Sequence, residues 1–161
     1  MRDVVAWERV PARPGRYAPF PTALDSRLID ALRARGIDQL YTHQAAAIDG
    51  ALRGESVCVV TSTASGKTLC YNLPVLDRIL KEPSARALYL FPTKALSQDQ
   101  LSELHGLIED TGADIGTYTF DGDTPQGARR RVRHAGHIVI TNPDMLHAGV
   151  LPHHTAWIKL F

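Results

Sequence analysis

The residues best placed to do chemistry are Thr61-Ser62-Thr63-Ala64-Ser65-Gly66-Lys67-Thr68, between the apolar run Val57-Cys58-Val59-Val60 and a helical pattern beginning at Leu69. A buried strand, a tight turn of small residues and a helix amino terminus, in that order, form a phosphate cradle. Backbone N–H groups from Ala64 to Thr68 can point into one concavity, where the helix dipole favours negative charge. Lys67 would reach the β- and γ-phosphates, and the Thr68 hydroxyl would sit on a Mg²⁺ ion. The chemistry is that of binding a nucleoside triphosphate. One position departs from the strict pattern: Thr61 stands where a glycine is usual, and a β-branched residue does not take positive φ cheaply. The competing reading is a Ser/Thr/Gly-rich helix start that binds nothing.

The elements that must position this loop follow from periodicity. Residues 10–21 hold four prolines and a glycine, which excludes helix and leaves an extended lead-in. Thr22 is a candidate cap for a helix carrying Leu24, Leu28, Ala31 and Leu32 and ending at Gly36. Thr42 is a candidate cap for a second, with Ala45, Ile48, Ala51 and Leu52, closed by Gly54. After the loop, Leu69, Leu73, Leu76 and Leu80 mark one helical face, with a kink expected at Pro74. Ala87–Phe91 is a continuous apolar run of strand length, a helix carrying Leu96, Leu101, Leu104 and Ile108 reaches Gly112, and Ile115–Thr119 is a weaker strand. Pro125–His134 reads as a basic helix, His137–Thr141 as a fourth strand, and Asp144–His147 as a further helix.

Alternating strands and helices predict an α/β fold with a mainly parallel sheet. Ligands in such folds collect at the carboxyl ends of the strands. The polar punctuation falls there: Thr61–Thr68, Pro92-Thr93-Lys94, Asp121-Gly122-Asp123 and Thr141-Asn142-Pro143-Asp144.

Composition sets bounds. The 161 residues amount to about one domain. A net charge of +1, from 18 basic and 17 acidic residues, does not mark a polyanion partner, so nucleic-acid binding would rest on local sites. No apolar run is long enough for a membrane span, and Met1-Arg2-Asp3 leads into no apolar signal region. Cys58 and Cys70 read as small core residues, and a reducing cytoplasm is the expected home. Trp7 and Trp157 are assigned to packing, Arg129-Arg130-Arg131-Val132-Arg133 to a solvated helix, and His153-His154 to a polar loop rather than a metal site.

Four segments in order carry a family resemblance: Leu40-Tyr41-Thr42-His43-Gln44, Thr63-Ala64-Ser65-Gly66-Lys67-Thr68, Phe91-Pro92-Thr93-Lys94-Ala95-Leu96 and Thr141-Asn142-Pro143-Asp144-Met145-Leu146. Over residues 36–161 the chain resembles the first RecA-like domain of DEAD/DEAH-box superfamily 2 helicases. It is most similar there to the Hrq-type, MrfA-like branch of DNA-repair helicases, which share the phosphate loop T-x-T-A-S-G-K-T-L-C-Y-N-L-P. The resemblance implies ATP and Mg²⁺ as cofactors, with Thr63 to Thr68 around the phosphates. It also implies that Gln44 selects adenine, whose N6 and N7 edge a side-chain amide matches with one donor and one acceptor. Pro92, Thr93 and Lys94, then Gly122, then Thr141, Asn142 and Asp144 would hold the backbone of a nucleic acid strand without reading bases, DNA being favoured over RNA.

The same resemblance implies a DExx acid box to hold the Mg²⁺ hydration shell and orient the attacking water. Asp-Glu occurs nowhere as a dipeptide in this sequence. The chain is therefore expected to be a P-loop NTPase, RecA-like segment cut before the acid-box strand. It would depend for hydrolysis on that box and on a second RecA-like domain. The expected organisation is an extended lead-in over 1–21, a helical region with the Gln44 motif over 22–54, and a partial RecA-like ATP-binding domain over 55–161. Val57–Val60 would lack strand neighbours and expose an apolar edge. The alternatives are a P-loop kinase or transport ATPase segment, which has no need of the Pro92–Lys94 and Thr141–Pro143 loops, or an inactive remnant.

Overall fold

A computed structural model describes residues 6–9, 11 and 14–161. The start of the chain and Val10, Ala12 and Arg13 of the expected lead-in lie outside the described residues. The rest of the lead-in is not simply extended coil. Tyr17–Ala18 (β1) pairs antiparallel with Leu40–Tyr41 (β2), Tyr17 opposite Tyr41. Trp7 is 93% exposed, so its assignment to packing is corrected.

The first helix, α1 (Ser26–Ala34), is capped by Asp25 rather than Thr22. The Asp25 carboxylate accepts the Arg27 amide at 2.9 Å, and the Asp25 amide donates to Asp77 at 2.8 Å. The next, α2 (Thr42–Leu52), starts with Tyr41 at the cap position, whose amide donates to the Gln44 side chain. Gly36 and Gly54 follow these helices in the left-handed conformation, where a Cβ would be strained. The phosphate loop leads into α3 (Lys67–Lys81), which continues through Pro74 and buries Cys70, Leu73, Leu76 and Ile79.

The sheet is parallel, with β5 (Ile138–Thr141) in the centre, β3 (Ala87–Leu90) on one side and β4 (Thr117–Thr119) on the other. Between them run α4 (Lys94–Thr111) and α5 (Gln126–Ala135). After β5, a short α6 (Pro143–Met145) passes into a π-helical turn at Leu146–Val150 and a 3-10 stretch at Leu151–Trp157, a longer helical tail than the sequence predicts.

Central β5 explains its own unbroken apolar run. Ile138 and Ile140 enter a core shared with Leu28 and Leu32 of α1, Ile48 of α2, Leu73 and Leu76 of α3 and Leu104 of α4. Val139, on the other face, packs with Phe120, Val132, Val150 and Trp157. Successive strand residues point to opposite faces, and here both faces are covered. Phe120 and Trp157 meet edge to face at 4.7 Å, so Trp157 is a packing residue.

Val57–Val60 does not form the strand expected of it, while its exposure agrees with the expectation that it lacks strand neighbours. It joins no ladder, and Val57 and Val60 are 45% and 88% exposed. Cys58 is exposed, which corrects its assignment to the core, whereas Cys70 is buried. The physical reason is pairing: a strand needs neighbours for its N–H and C=O groups, and among the described residues β3, β5 and β4 group together away from it. No helix among the described residues is long and apolar enough to cross a membrane.

Candidate nucleotide and nucleic-acid site

Gly66 takes φ of +72° and hands the chain to α3, whose amino terminus no side chain caps. The Lys67 and Thr68 N–H groups thus lack an intrahelical partner and a side-chain one, while the Leu69 amide donates to the Gly66 carbonyl at 3.3 Å. Thr61 needs no left-handed backbone. The only non-glycine residue among the described ones with positive φ is Ala64, at +57°, a small side chain at the apex of the loop. The Lys67 ammonium is folded back into the turn, donating to the carbonyls of Thr61 at 3.1 Å and Ser62 at 2.5 Å. Thr61 and Ser65 join their hydroxyls at 2.6 Å across the same turn. Thr63 and Ala64 are exposed at its rim. A flexible cation, an uncapped helix start and a left-handed glycine suit a polyphosphate. Among the described residues no group of three or more His, Cys, Asp or Glu is gathered to hold a metal. A Mg²⁺ ion here would be held by the Thr68 hydroxyl together with the nucleotide, and would supply positive charge to offset that of the phosphates.

The start of α2 supports the loop from behind. Gln44, 4% exposed, accepts the Tyr41 amide and donates through Nε2 to the Gly66 carbonyl, both at 2.8 Å. His43 donates through Nε2 to the neighbouring Ser65 carbonyl at 3.0 Å. Two consecutive residues of α2 thus hold two consecutive carbonyls of the phosphate loop. Gln44 enters the site already committed at both ends, so an adenine would meet its second amide hydrogen and second lone pair. Beside it lies a cleft of about 540 Å³ lined by Tyr17, Arg35, Ile37, Tyr41, Gln44 and Gly66, among others. Tyr17 and Tyr41 stack at 5.1 Å, and Tyr41 stacks on His43 at 5.8 Å. Sequence reasoning missed Tyr17 and His43: only the β1–β2 pairing brings Tyr17 to the loop, and His43 carried no signal beyond adjacency to Gln44.

Thr68, in the first turn of α3, donates its hydroxyl proton to the side-chain carbonyl of Gln100 on α4 at 3.2 Å, and the Tyr71 hydroxyl donates to the same oxygen. Gln100 was also missed, because its partners lie about thirty residues earlier in the chain. Burial pushes the Tyr71 phenol up, so it remains a donor at neutral pH.

The expected nucleic-acid loops converge on one cleft of about 590 Å³ at the carboxyl ends of β3, β4 and β5. Lys94, Asp121, Asp123, Thr141 and Asn142 are among its lining residues. Lys94 pairs with Asp123 across the mouth, and that carboxylate raises the Lys94 pKa. Thr93 caps α4 by accepting the Leu96 amide, and Asn142 caps α6 by accepting the Met145 amide at 2.8 Å. Pro92, Gly122 and Asp144 are exposed beside the cleft rather than in its lining. Thr141 departs from expectation. It is 3% exposed and its hydroxyl donates to the Phe120 carbonyl at 2.5 Å, so that proton is not free to hold a phosphate. Of the arginine cluster, Arg130 and Arg131 face solvent, while Arg129 packs 5.3 Å over the Phe120 ring and donates to the Thr124 carbonyl.

Comparison with known proteins places this chain among the DEAD/DEAH box helicases. Residues 41–160 match the family model of the DEAD/DEAH box helicases. The ATP-dependent helicase YprA of Bacillus subtilis is 57% identical over 159 residues, covering 99% of this chain and 21% of that protein. The ATP-dependent helicase hrq1 of Schizosaccharomyces pombe is 40% identical over 154 residues, covering 94% of this chain and 14% of that protein. The crystal structure of the DUF1998 helicase MrfA bound to DNA and AMPPNP superposes with a TM-score of 0.92 at 57% identity, covering 98% of this chain and 22% of that one. The chain thus spans no more than about a fifth of the length of these relatives.

Proposed function

The chain belongs to the DEAD/DEAH box helicase family with a RecA-like fold, and from that premise we propose that it is the ATP- and nucleic-acid-binding segment of a 3′-to-5′ ATP-dependent DNA helicase of the Hrq1/MrfA type. The observation that carries this reading is the presence in one chain of a phosphate loop at the start of α3 and a cleft at the carboxyl ends of the sheet strands. Lys67 lies in a phosphate loop tied to Gln44, and Lys94 lies in a cleft fed by the next three strand ends. Lys67 exchanges its loop carbonyls for β- and γ-phosphate oxygens, Gln44 and the Tyr17–Tyr41 face receive the adenine, and Lys94 with the α4 and α6 starts holds a strand by its phosphates. DNA is favoured because the MrfA relative was crystallised on DNA. Hydrolysis asks for an Asp-Glu acid box, a dipeptide that this sequence does not contain, so the segment binds ATP and turns it over only together with an acid box and a second RecA-like domain. Two free cysteines, one of them exposed, agree with a reducing cytoplasm.

Titration of the chain with a fluorescent ATP analogue and Mg²⁺ tests the first half. Saturable binding is expected, weakened by about tenfold or more in Lys67→Ala; a wild-type chain that binds no analogue overturns it. The second half is tested on a longer polypeptide that carries an acid box and a second domain. Its ATPase is expected to rise with single-stranded DNA, and an ATPase indifferent to DNA overturns the helicase reading.

A further inference from the structure

The contact at Gln100 belongs to neither site alone. Thr68 and Tyr71 stand three residues apart on α3 and so share a face, and both hydroxyls converge on Gln100 Oε1. Thr68 is the residue whose oxygen would ligate Mg²⁺. With its proton directed at Gln100, that oxygen presents only lone pairs toward the loop, the form a cation needs. Gln100 is also on α4, six residues beyond Lys94, or about 9 Å along the axis. The helix that starts at the nucleic-acid cleft therefore carries, less than two turns later, the acceptor that sets the Thr68 proton.

We propose that Gln100 is a positioning residue that couples the two sites: it orients the Thr68 hydroxyl for the metal–nucleotide complex and transmits the position of α4, set by a strand bound at Lys94, to that hydroxyl. This rests on the function proposed above. Coupling is reciprocal, so bound strand strengthens Mg²⁺–nucleotide binding and nucleotide strengthens strand binding by the same factor.

The test titrates the fluorescent ATP analogue into the chain with and without Mg²⁺, and with and without a saturating single-stranded DNA oligonucleotide. Wild type is expected to bind about fivefold or more tightly with the oligonucleotide present, and more tightly with Mg²⁺ than without it. Gln100→Leu removes the acceptor, and Gln100→Asn shortens it out of reach and carries the test if the leucine variant does not fold. In either, both enhancements are expected to fall to near unity, while Mg²⁺-free analogue binding and binding of the oligonucleotide alone stay at wild-type levels. Gln100→Glu keeps an acceptor at the same length and is expected to retain both enhancements. A merely structural role would lower Mg²⁺-free binding as well, and that outcome overturns the proposal. So does a Gln100→Leu or Gln100→Asn variant that keeps both enhancements, or a wild-type chain that binds both ligands without influence of one on the other. A wild-type chain that binds no nucleotide instead overturns the underlying functional reading, and the coupling with it.

Discussion

The Gln44 amide nitrogen lies 2.8 Å from the Gly66 carbonyl oxygen, and a Cβ placed on Gly66 would fall 2.5 Å from that same nitrogen. Gly66 is thus required twice, by its φ of +72° and by the side chain packed over it. Gly66→Ala must strain the backbone or displace Gln44. We expect a loss of about 1–3 kcal/mol in stability and at least a tenfold loss in affinity for an ATP analogue, read by urea unfolding and by analogue titration respectively.

Gln44→Ala leaves the Tyr41 amide without its side-chain partner and takes one of two donors from the Gly66 carbonyl, which keeps the Leu69 amide at 3.3 Å. Losing a hydrogen bond between partly buried groups costs about 1 kcal/mol. The variant is expected to unfold at lower urea, to bind the ATP analogue more weakly, and to lose any preference for it over the guanine analogue. His43→Ala, which frees only the Ser65 carbonyl, should weaken binding while leaving that preference in place.

Lys94 is held by Asp123 across the mouth of the cleft, with both side chains largely exposed. Asp123→Asn releases the cation, so affinity for a single-stranded oligonucleotide should rise several-fold at low salt. Lys94→Ala should lower affinity and reduce the slope of log affinity against log salt by about one phosphate contact. Fluorescence anisotropy over a salt series reads both.

Thr141→Val replaces a buried hydroxyl whose proton goes to the Phe120 carbonyl. The expected outcome is a loss of about 1–3 kcal/mol in stability from the orphaned carbonyl, with oligonucleotide affinity of the folded protein within about twofold of wild type. A large drop in affinity without a drop in stability would instead return Thr141 to the strand-binding group.

Asp25 receives both the Nε and Nη2 groups of Arg27, which hold its carboxyl down at about 2 from an ordinary value of 3.8. A depressed folded-state pKa means that its contribution is present above about pH 4 and is lost as pH falls toward 2. Asp25→Ala, which also removes the α1 cap, should destabilise the protein by about 1 kcal/mol at neutral pH. The gap to wild type should narrow between about pH 4 and pH 2, as followed by thermal unfolding in a series of buffers.

Local pattern determined much of this protein. The strands at Ala87–Leu90 and Ile138–Thr141 and the helices from Lys67 and Lys94 were legible because apolar spacing and glycine stops act within a few residues. Lys67, Thr68 and Gly66 were legible because a phosphate loop is a contiguous turn. What only the tertiary structure decided involves partners distant in sequence. Val57–Val60 has the composition of a buried strand, yet strand formation depends on neighbours that composition does not supply. The Thr141 hydroxyl points inward, where the Phe120 carbonyl just past the end of β4 accepts its proton. Tyr17, His43 and Gln100 came beside the Thr61–Thr68 loop and the start of α3 through pairing or packing across 22 to 32 residues. A hydrogen bond between side chains so far apart leaves no periodic trace in the sequence, since its geometry exists only once the helices have packed.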